Sequence, residues 1–343
     1  MTRQERKLDH LRYAESLALT DADFSEVELL HNCLPETDLA ELDLSTKLAG
    51  LPLSAPFLIN AITGGVAEAI EINRNLAAVA KAAGFAMAVG SQMAALENPA
   101  QCKSFRIVRE VYPQGIIFAN IGAYADAELA KRAVEMIEAD ALQIHLNVPQ
   151  ELLMAEGDTS FRGYRKRIAE IIKAVKVPVI IKEVGFGVAK EQAALFQELG
   201  AAAIDIGGRG GTNFLEIESK RGRYTLNHEL LKWGISTPLS ILEARTGAPA
   251  LDIVATGGIN NGLAAAKAIS LGASAVGMAG LPLKVLLAAG PEKLLTCLQQ
   301  ILHELKMVMM MTGCFAVKEL QRVPVVITGK TREWMLARDL KRE

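Results

Sequence analysis

PVIIKEVGFGVAKEQAALFQELGAAAIDIGG, residues 178–208, reads as a strand, a helix and a second strand. Val179–Lys182 and Ala203–Ile206 are short and mostly apolar throughout, the pattern of parallel strands buried on both faces. Between them, Lys190–Leu199 carries apolar residues at helical spacing and stops at a glycine. The same alternation runs outward in both directions. Further strands are expected at Phe57–Ala61, Ala86–Val89, Ile116–Asn120, Ala141–His145, Ile253–Thr256 and Ala275–Gly277, which brings the total to eight. Helices are expected at Glu71–Ala83, Ala127–Glu138, Tyr164–Val175 and Leu263–Leu271, with another near Leu239–Thr246. Strand–helix alternation repeated in this way predicts an α/β fold of the closed (β/α)8 TIM-barrel type. Residues 56–285 would form the barrel core, 1–55 an N-terminal extension and 286–343 a helical region, all in a single domain. The Gly-rich, charged segment 207–236 after the sixth strand is a candidate lid.

Composition narrows the classes of function. Half the residues are apolar, yet no run approaches the roughly 18–20 a membrane helix needs. The polar N-terminus has no apolar core followed by a cleavage site, so a soluble cytoplasmic protein is expected. Cys33, Cys102, Cys297 and Cys314 lie far apart without a CxxC pair, which predicts reduced, mostly buried thiols. A net charge of −2 and 5% aromatics argue against a nucleic-acid partner. Any anionic ligand must therefore be caught by a local site.

In such barrels the active site lies at the C-terminal strand ends. In order these read INAITGG, AVGSQ, ANIGA, IHLNVPQE, IKEVGFG, DIGGRGGTN, ATGGINNG and GMAG, every one small, polar or charged. Gly257 and Gly258 after the seventh strand, with Ala279 and Gly280 after the eighth, let backbone N–H groups approach a phosphate. A lone glycine pair would indicate only a tight turn; two consecutive strand ends favour phosphate. Lys182 ends an apolar strand and brings its amine into the barrel mouth, suited to negative charge on a reduced flavin or to service as a base. An ion pair with a neighbour such as Glu183 is the plainer alternative. Asn120 and Ser91 suit hydrogen bonds to a planar heterocycle, while Thr63, Gly64, Gly65 and Thr212 offer hydroxyls and bare backbone.

The fourth strand end sets His145 and Asn147 on one face, with Gln150 and Glu151 just beyond. A carboxylate beside a phosphate group needs a cation, so Glu151 is a candidate Mg²⁺ ligand. Read alone, it is better explained as a helix N-terminal carboxylate. Arg6, Lys7 and His10 share a helical face, which by pattern alone is a solvated surface.

Taken together, RKLDH (6–10), INAITGG, MAVGSQ, NIGA, QIHLNVPQE, PVIIKEVGFG, GGRGGTNF and ATGGI…GMA resemble the type 2 isopentenyl-diphosphate isomerases, in family order from residue 6 to about 280. The resemblance implies FMN contacts at Thr63, Gly64, Gly65, Ser91, Asn120, Lys182 and Thr212. Its phosphate would lie on Gly257, Gly258, Ala279 and Gly280. Arg6 and Lys7 would bind the substrate diphosphate together with Ser91, His145 and Asn147, Gln150 would line the pocket, and Glu151 would hold Mg²⁺. Asn260 departs from the family, which usually has Arg there.

The implied reaction interconverts isopentenyl and dimethylallyl diphosphate by allylic proton transfer, with NADPH or NADH reducing the flavin. Catalytic roles fall to Gln150, Lys182 and His145. No paired carboxylates or Cys–Glu set stand ready for both proton transfers, so reduced FMN would be the acid and base. The family also implies a tetramer or octamer. The competing reading is a flavin oxidoreductase of the hydroxyacid-oxidase or dihydroorotate-dehydrogenase kind. Those oxidations need a base near the flavin, and the segment GGRGGTNF provides no histidine or cysteine for it.

Overall fold

The computed structural model describes residues 7, 19–154, 156–222 and 225–342. Eight parallel strands close into a barrel in chain order: β1 (Phe57–Ile59), β2 (Ala86–Ala88), β3 (Ile117–Gly122), β4 (Ala141–Leu146), β5 (Val179–Glu183), β6 (Ala203–Asp205), β7 (Asp252–Thr256) and β8 (Ala275–Met278). The enclosing helices are α1 (Glu68–Ala83), α2 (Lys103–Val111), α3 (Ala127–Met136), α4 (Tyr164–Ala174), α5 (Lys190–Glu198), α6 (Thr237–Gly247), α7 (Gly262–Ser270) and α8 (Gly280–Thr312). Every expected strand is present, with ends displaced by no more than two residues. Helix α2 was not foreseen. Local chemistry sets several boundaries: Gly84 ends α1 in the left-handed region at φ 71°, and Asp126 caps α3 by accepting from Leu129 N at 2.8 Å.

The barrel interior is layered by the two-residue period of its strands. Leu58, Phe118, Ile180 and Val254 belong to an apolar floor, plugged from below by Leu48 and Leu53 of the hairpin Thr46–Leu48/Leu51–Leu53. Two residues further along, the inward positions turn polar: Asn60, Asn120, Gln143, Lys182, Asp205 and Thr256. A larger apolar cluster fills the space between strands and helices.

The C-terminal region departs from the expected run of helix. Helix α8 breaks at Gly290, whose φ is 83°, immediately before Pro291. Farther on, the β-branched run Val325–Ile327 forms a strand that pairs antiparallel with Val27–Leu29, ahead of a last helix, Gly329–Ala337. The Glu26 carboxylate accepts from Lys330 N at 2.9 Å and Thr331 N at 2.7 Å, fastening that helix to the N-terminal strand. The thiols are free but less buried than expected: Cys314 is buried, Cys102 and Cys297 are half-buried, and Cys33, on the segment outside the barrel, is exposed. Among the described residues no helix is long and apolar enough to cross a membrane.

Candidate active site

A cavity of about 270 Å³ opens at the C-terminal strand ends. Lys7, Thr63, Gly64, Ser91, Asn120, His145, Asn147, Gln150, Glu151, Lys182, Thr212, Gly257, Gly258, Ala279 and Gly280 all line it. Of the described residues singled out from the sequence, Gly65 alone does not; its N–H donates to Ser104 Oγ at 2.8 Å. Arg6 lies outside the described residues. Lys7 reaches the cavity from the N-terminal segment, and its ammonium donates to the carbonyls of Gly64 and Ser91, bridging the ends of β1 and β2.

Lys182 is 7% exposed and pairs with Asp205 at 2.8 Å. Glu183, its neighbour on β5, is not its partner, because successive side chains on a strand point to opposite faces. Glu183 accepts instead from the backbone N–H groups of Gly185, Phe186 and Gly187, at 2.7, 2.6 and 3.1 Å. Burial pushes its carboxyl up to about 8, against those three donors. The turn it pins carries Val184 and Gly185 to the cavity wall. Asp205 also accepts from Asn60 Nδ2 at 2.7 Å and from Thr256 Oγ1, so the Lys182 ammonium rests on a fully paired anion.

The glycine-rich strand ends pack on one another as well as on the cavity. Gly257 and Gly258 have φ of 111° and 77°, and a Cβ on either would run into a carbonyl of the 207–211 loop, Gly208 O or Gly210 O. Loop packing therefore demands these glycines in its own right. The helix N-terminus that opens on the cavity is that of α8, at Ala279–Gly280, beside the Thr212 hydroxyl. That of α7 is already engaged: Asn261 caps it, and Gly262 N donates to Glu304 at 2.8 Å. Asn260 donates to Asp21 Oδ1 at 2.9 Å and ties the N-terminal segment to the cavity rim.

On the opposite wall, Asn147 Nδ2 donates to Glu151 Oε1 at 2.8 Å, and Asp158 N donates to Glu151 Oε2 at 3.0 Å. Glu151 sits in the first turn of the short helix Val148–Leu153, as the helix N-terminal reading expects, and it also lines the cavity. Among the described residues no group of three acidic, His or Cys side chains could hold a metal. Of the described residues, Glu151 and Glu216 are the carboxylates that line the cavity, and one or two carboxylates suit a Mg²⁺ ion that takes its remaining ligands from substrate oxygens and water. Gln150 Nε2 donates to Glu218 Oε1 at 3.0 Å, and Glu218 is buried and paired with Arg221. Both come from the helix Phe214–Arg221 within the candidate lid. Leu215 of that helix packs with Leu153 and Phe186 in a small satellite cluster.

Sequence reasoning missed Asn60, Gln143, Asp205, Thr256 and Glu218. The first four carried a usable signal, a polar residue two positions beyond an apolar one on the same strand face. Glu218 carried none, since its contact with Gln150 spans 68 residues of chain.

Known proteins resemble this chain both in sequence and in fold. The family described as FMN-dependent dehydrogenase matches residues 159–326. The isopentenyl-diphosphate delta-isomerase of Geobacillus sp. (strain WCH70) is 48% identical over 340 residues, covering 98% of this chain and 97% of its own. That of Symbiobacterium thermophilum is 47% identical, covering 97% of this chain and 94% of its own. Among solved structures, a Pediococcus acidilactici lactate oxidase superposes with a TM-score of 0.68 at 16% identity, covering 95% of this chain and 93% of its own. A mandelate oxidase superposes at 0.65 with 15% identity, covering 94% and 95%. The likeness to these oxidases is one of fold.

Proposed function

The chain belongs to the isopentenyl-diphosphate delta-isomerase family, and from that premise we propose that its cavity interconverts isopentenyl and dimethylallyl diphosphate as an FMN-dependent, type 2 enzyme. The observation that carries the reading is the convergence of nearly every expected site residue on one cavity. A proton is added at the terminal alkene carbon and another leaves C2, with no net redox change. Reduced FMN would supply the acid and base for both transfers, with NADPH or NADH as the source of reducing equivalents.

The residues present fit that cofactor. The amides at Gly257, Gly258, Ala279 and Gly280, with the α8 N-terminus, would hold its phosphate. Thr63, Gly64, Ser91, Asn120 and Thr212 would hold the ring and ribityl chain. Lys182 keeps two N–H donors beyond the one given to Asp205 and would steady negative charge on the reduced ring. Gly65 would act one step back, by shaping the turn. Gln150, oriented by Glu218, would place the alkene or relay a proton. Lys7, Arg6, His145 and Asn147 would hold the diphosphate, with Glu151 contributing one ligand to a shared Mg²⁺.

The extension, barrel and C-terminal region are read as one domain of a cytoplasmic homo-oligomer. Oxidation of a hydroxy acid has less support: among the described residues His145 is the one histidine lining the cavity, and it is bound to Asn120.

Anaerobic assay of the FMN-loaded protein with isopentenyl diphosphate, Mg²⁺ and a reductant tests the reading. Dimethylallyl diphosphate should form over many turnovers without net use of reductant. Reductant consumed in step with product, or no turnover, would refute it.

A further inference from the structure

Beneath the cavity, three buried amides link a carboxylate on β6 to an imidazole on β4. We propose that Asp205, acting through Asn60, Gln143 and Asn120, fixes the neutral His145 ring in the tautomer that carries its proton on Nδ1. These four are then positioning residues for His145.

The chain of donors runs in one direction. Asp205 is fully buried and accepts from Lys182, Thr256 and Asn60 Nδ2. An ionised carboxylate can only accept, so Asn60 must turn its NH2 toward it. A second contact fixes the same orientation: the backbone N–H of Ala61 donates to Asn60 Oδ1 at 2.8 Å, and a backbone N–H cannot accept. Gln143, with no exposed surface, then donates Nε2 to Asn60 Oδ1 at 3.0 Å. That turns Gln143 Oε1 toward Asn120, whose Nδ2 donates to it at 3.0 Å. Asn120 Oδ1 is left facing His145 Nδ1 at 2.8 Å, and between a carbonyl oxygen and a ring nitrogen the proton belongs to the nitrogen.

Reversing any one amide would set NH2 against NH2, or oxygen against oxygen, among groups at most 2% exposed. The relay is therefore all-or-none, and Asp205 with Ala61 N fixes its sense. A neutral His145 then has its lone pair on Nε2, which is an acceptor rather than a donor. For His145 to hold a diphosphate oxygen through Nε2, as proposed above, the ring must therefore take up a second proton when substrate binds. That last consequence rests on the isomerase reading; the tautomer itself does not.

Ring-nitrogen NMR shifts of FMN-loaded protein labelled with ¹⁵N-histidine, recorded at alkaline pH, decide the matter. The chain has five histidines, and His145→Asn assigns the signal. The expected spectrum shows a protonated Nδ1 and a bare Nε2. Gln143→Met keeps the volume but cuts the relay, and should move His145 toward the Nε2–H form without disturbing the other histidines. Gln143→Glu, protonated in so buried a place, preserves the direction of the relay and should retain Nδ1–H. A wild-type spectrum with Nε2–H overturns the proposal without any variant, so a Gln143→Met chain that fails to fold leaves the test standing. An unchanged tautomer in a folded Gln143→Met protein overturns it as well.

Discussion

Gln150 is held at both ends of its amide, Nε2 by Glu218 and Oε1 by Asn147 Nδ2 at 3.4 Å. Shortening the side chain by one methylene withdraws it from both. We expect Gln150→Asn to slow isomerisation on the order of 100-fold, as small misplacements in an active site do. The FMN contacts expected at other strand ends would be untouched, so flavin content should hold. Equal loss of turnover and flavin would show Gln150 to be structural. At this scale the sequence was legible wherever a residue's position on its own strand decided the outcome. Lys182 reaches the cavity because an apolar strand ends there, and His145 and Asn147 follow because they lie two apart. Partners across strands were hidden: Lys182 could be assigned to Glu183 on sequence proximity, whereas the register of β5 with β6 gives it to Asp205.

Helix α6 links the molecule's last helix to the glycine loops. At its start Thr237 Oγ1 donates to Gly257 O at 2.6 Å, and Ser240 Oγ accepts from Val188 N at 2.7 Å. Near its end Glu243, with no exposed surface, accepts from Trp334 Nε1 at 2.8 Å, Arg338 Nε at 2.9 Å and Lys190 N at 2.8 Å. Burial pushes the Glu243 carboxyl up, but the Arg338, Trp334 and Lys190 donors outweigh it and leave it below its ordinary 4.5. A depressed folded value means stability that is fully present above 4.5 and lost as pH falls through that lower value. Glu243→Gln should therefore lower the neutral-pH melting temperature by roughly 5 °C, with the gap closing in acid. Melting curves that stay parallel from neutral to acid pH would rule the clamp out. The location of α6 was legible from its apolar spacing, and its cross-links were not, since each partner comes from another element.

Across the whole molecule the barrel was readable because each strand–helix unit repeats one local pattern, so errors at single boundaries did not spread. The C-terminal strand escaped notice because three residues gain their conformation from a partner near the opposite end of the chain. If the cavity is an FMN site, cofactor should stabilise the whole fold: flavin at 100 times its dissociation constant adds about 2.7 kcal/mol. Apo and loaded protein should then melt several degrees apart, and coincident melting would count against flavin at this site. The pairing of Leu29 with Val325 also has a consequence for biosynthesis. Thr20 lines the cavity and Ala22 N donates to Gly258 O at 2.7 Å, a few residues before that strand. A ribosome releases residues 19–30 before any barrel strand, yet their strand partner follows all eight. Residues 27–29 thus find their partner only after the whole barrel has been made, and a nascent chain stalled before residue 325 should hold a closed barrel with that strand still unpaired.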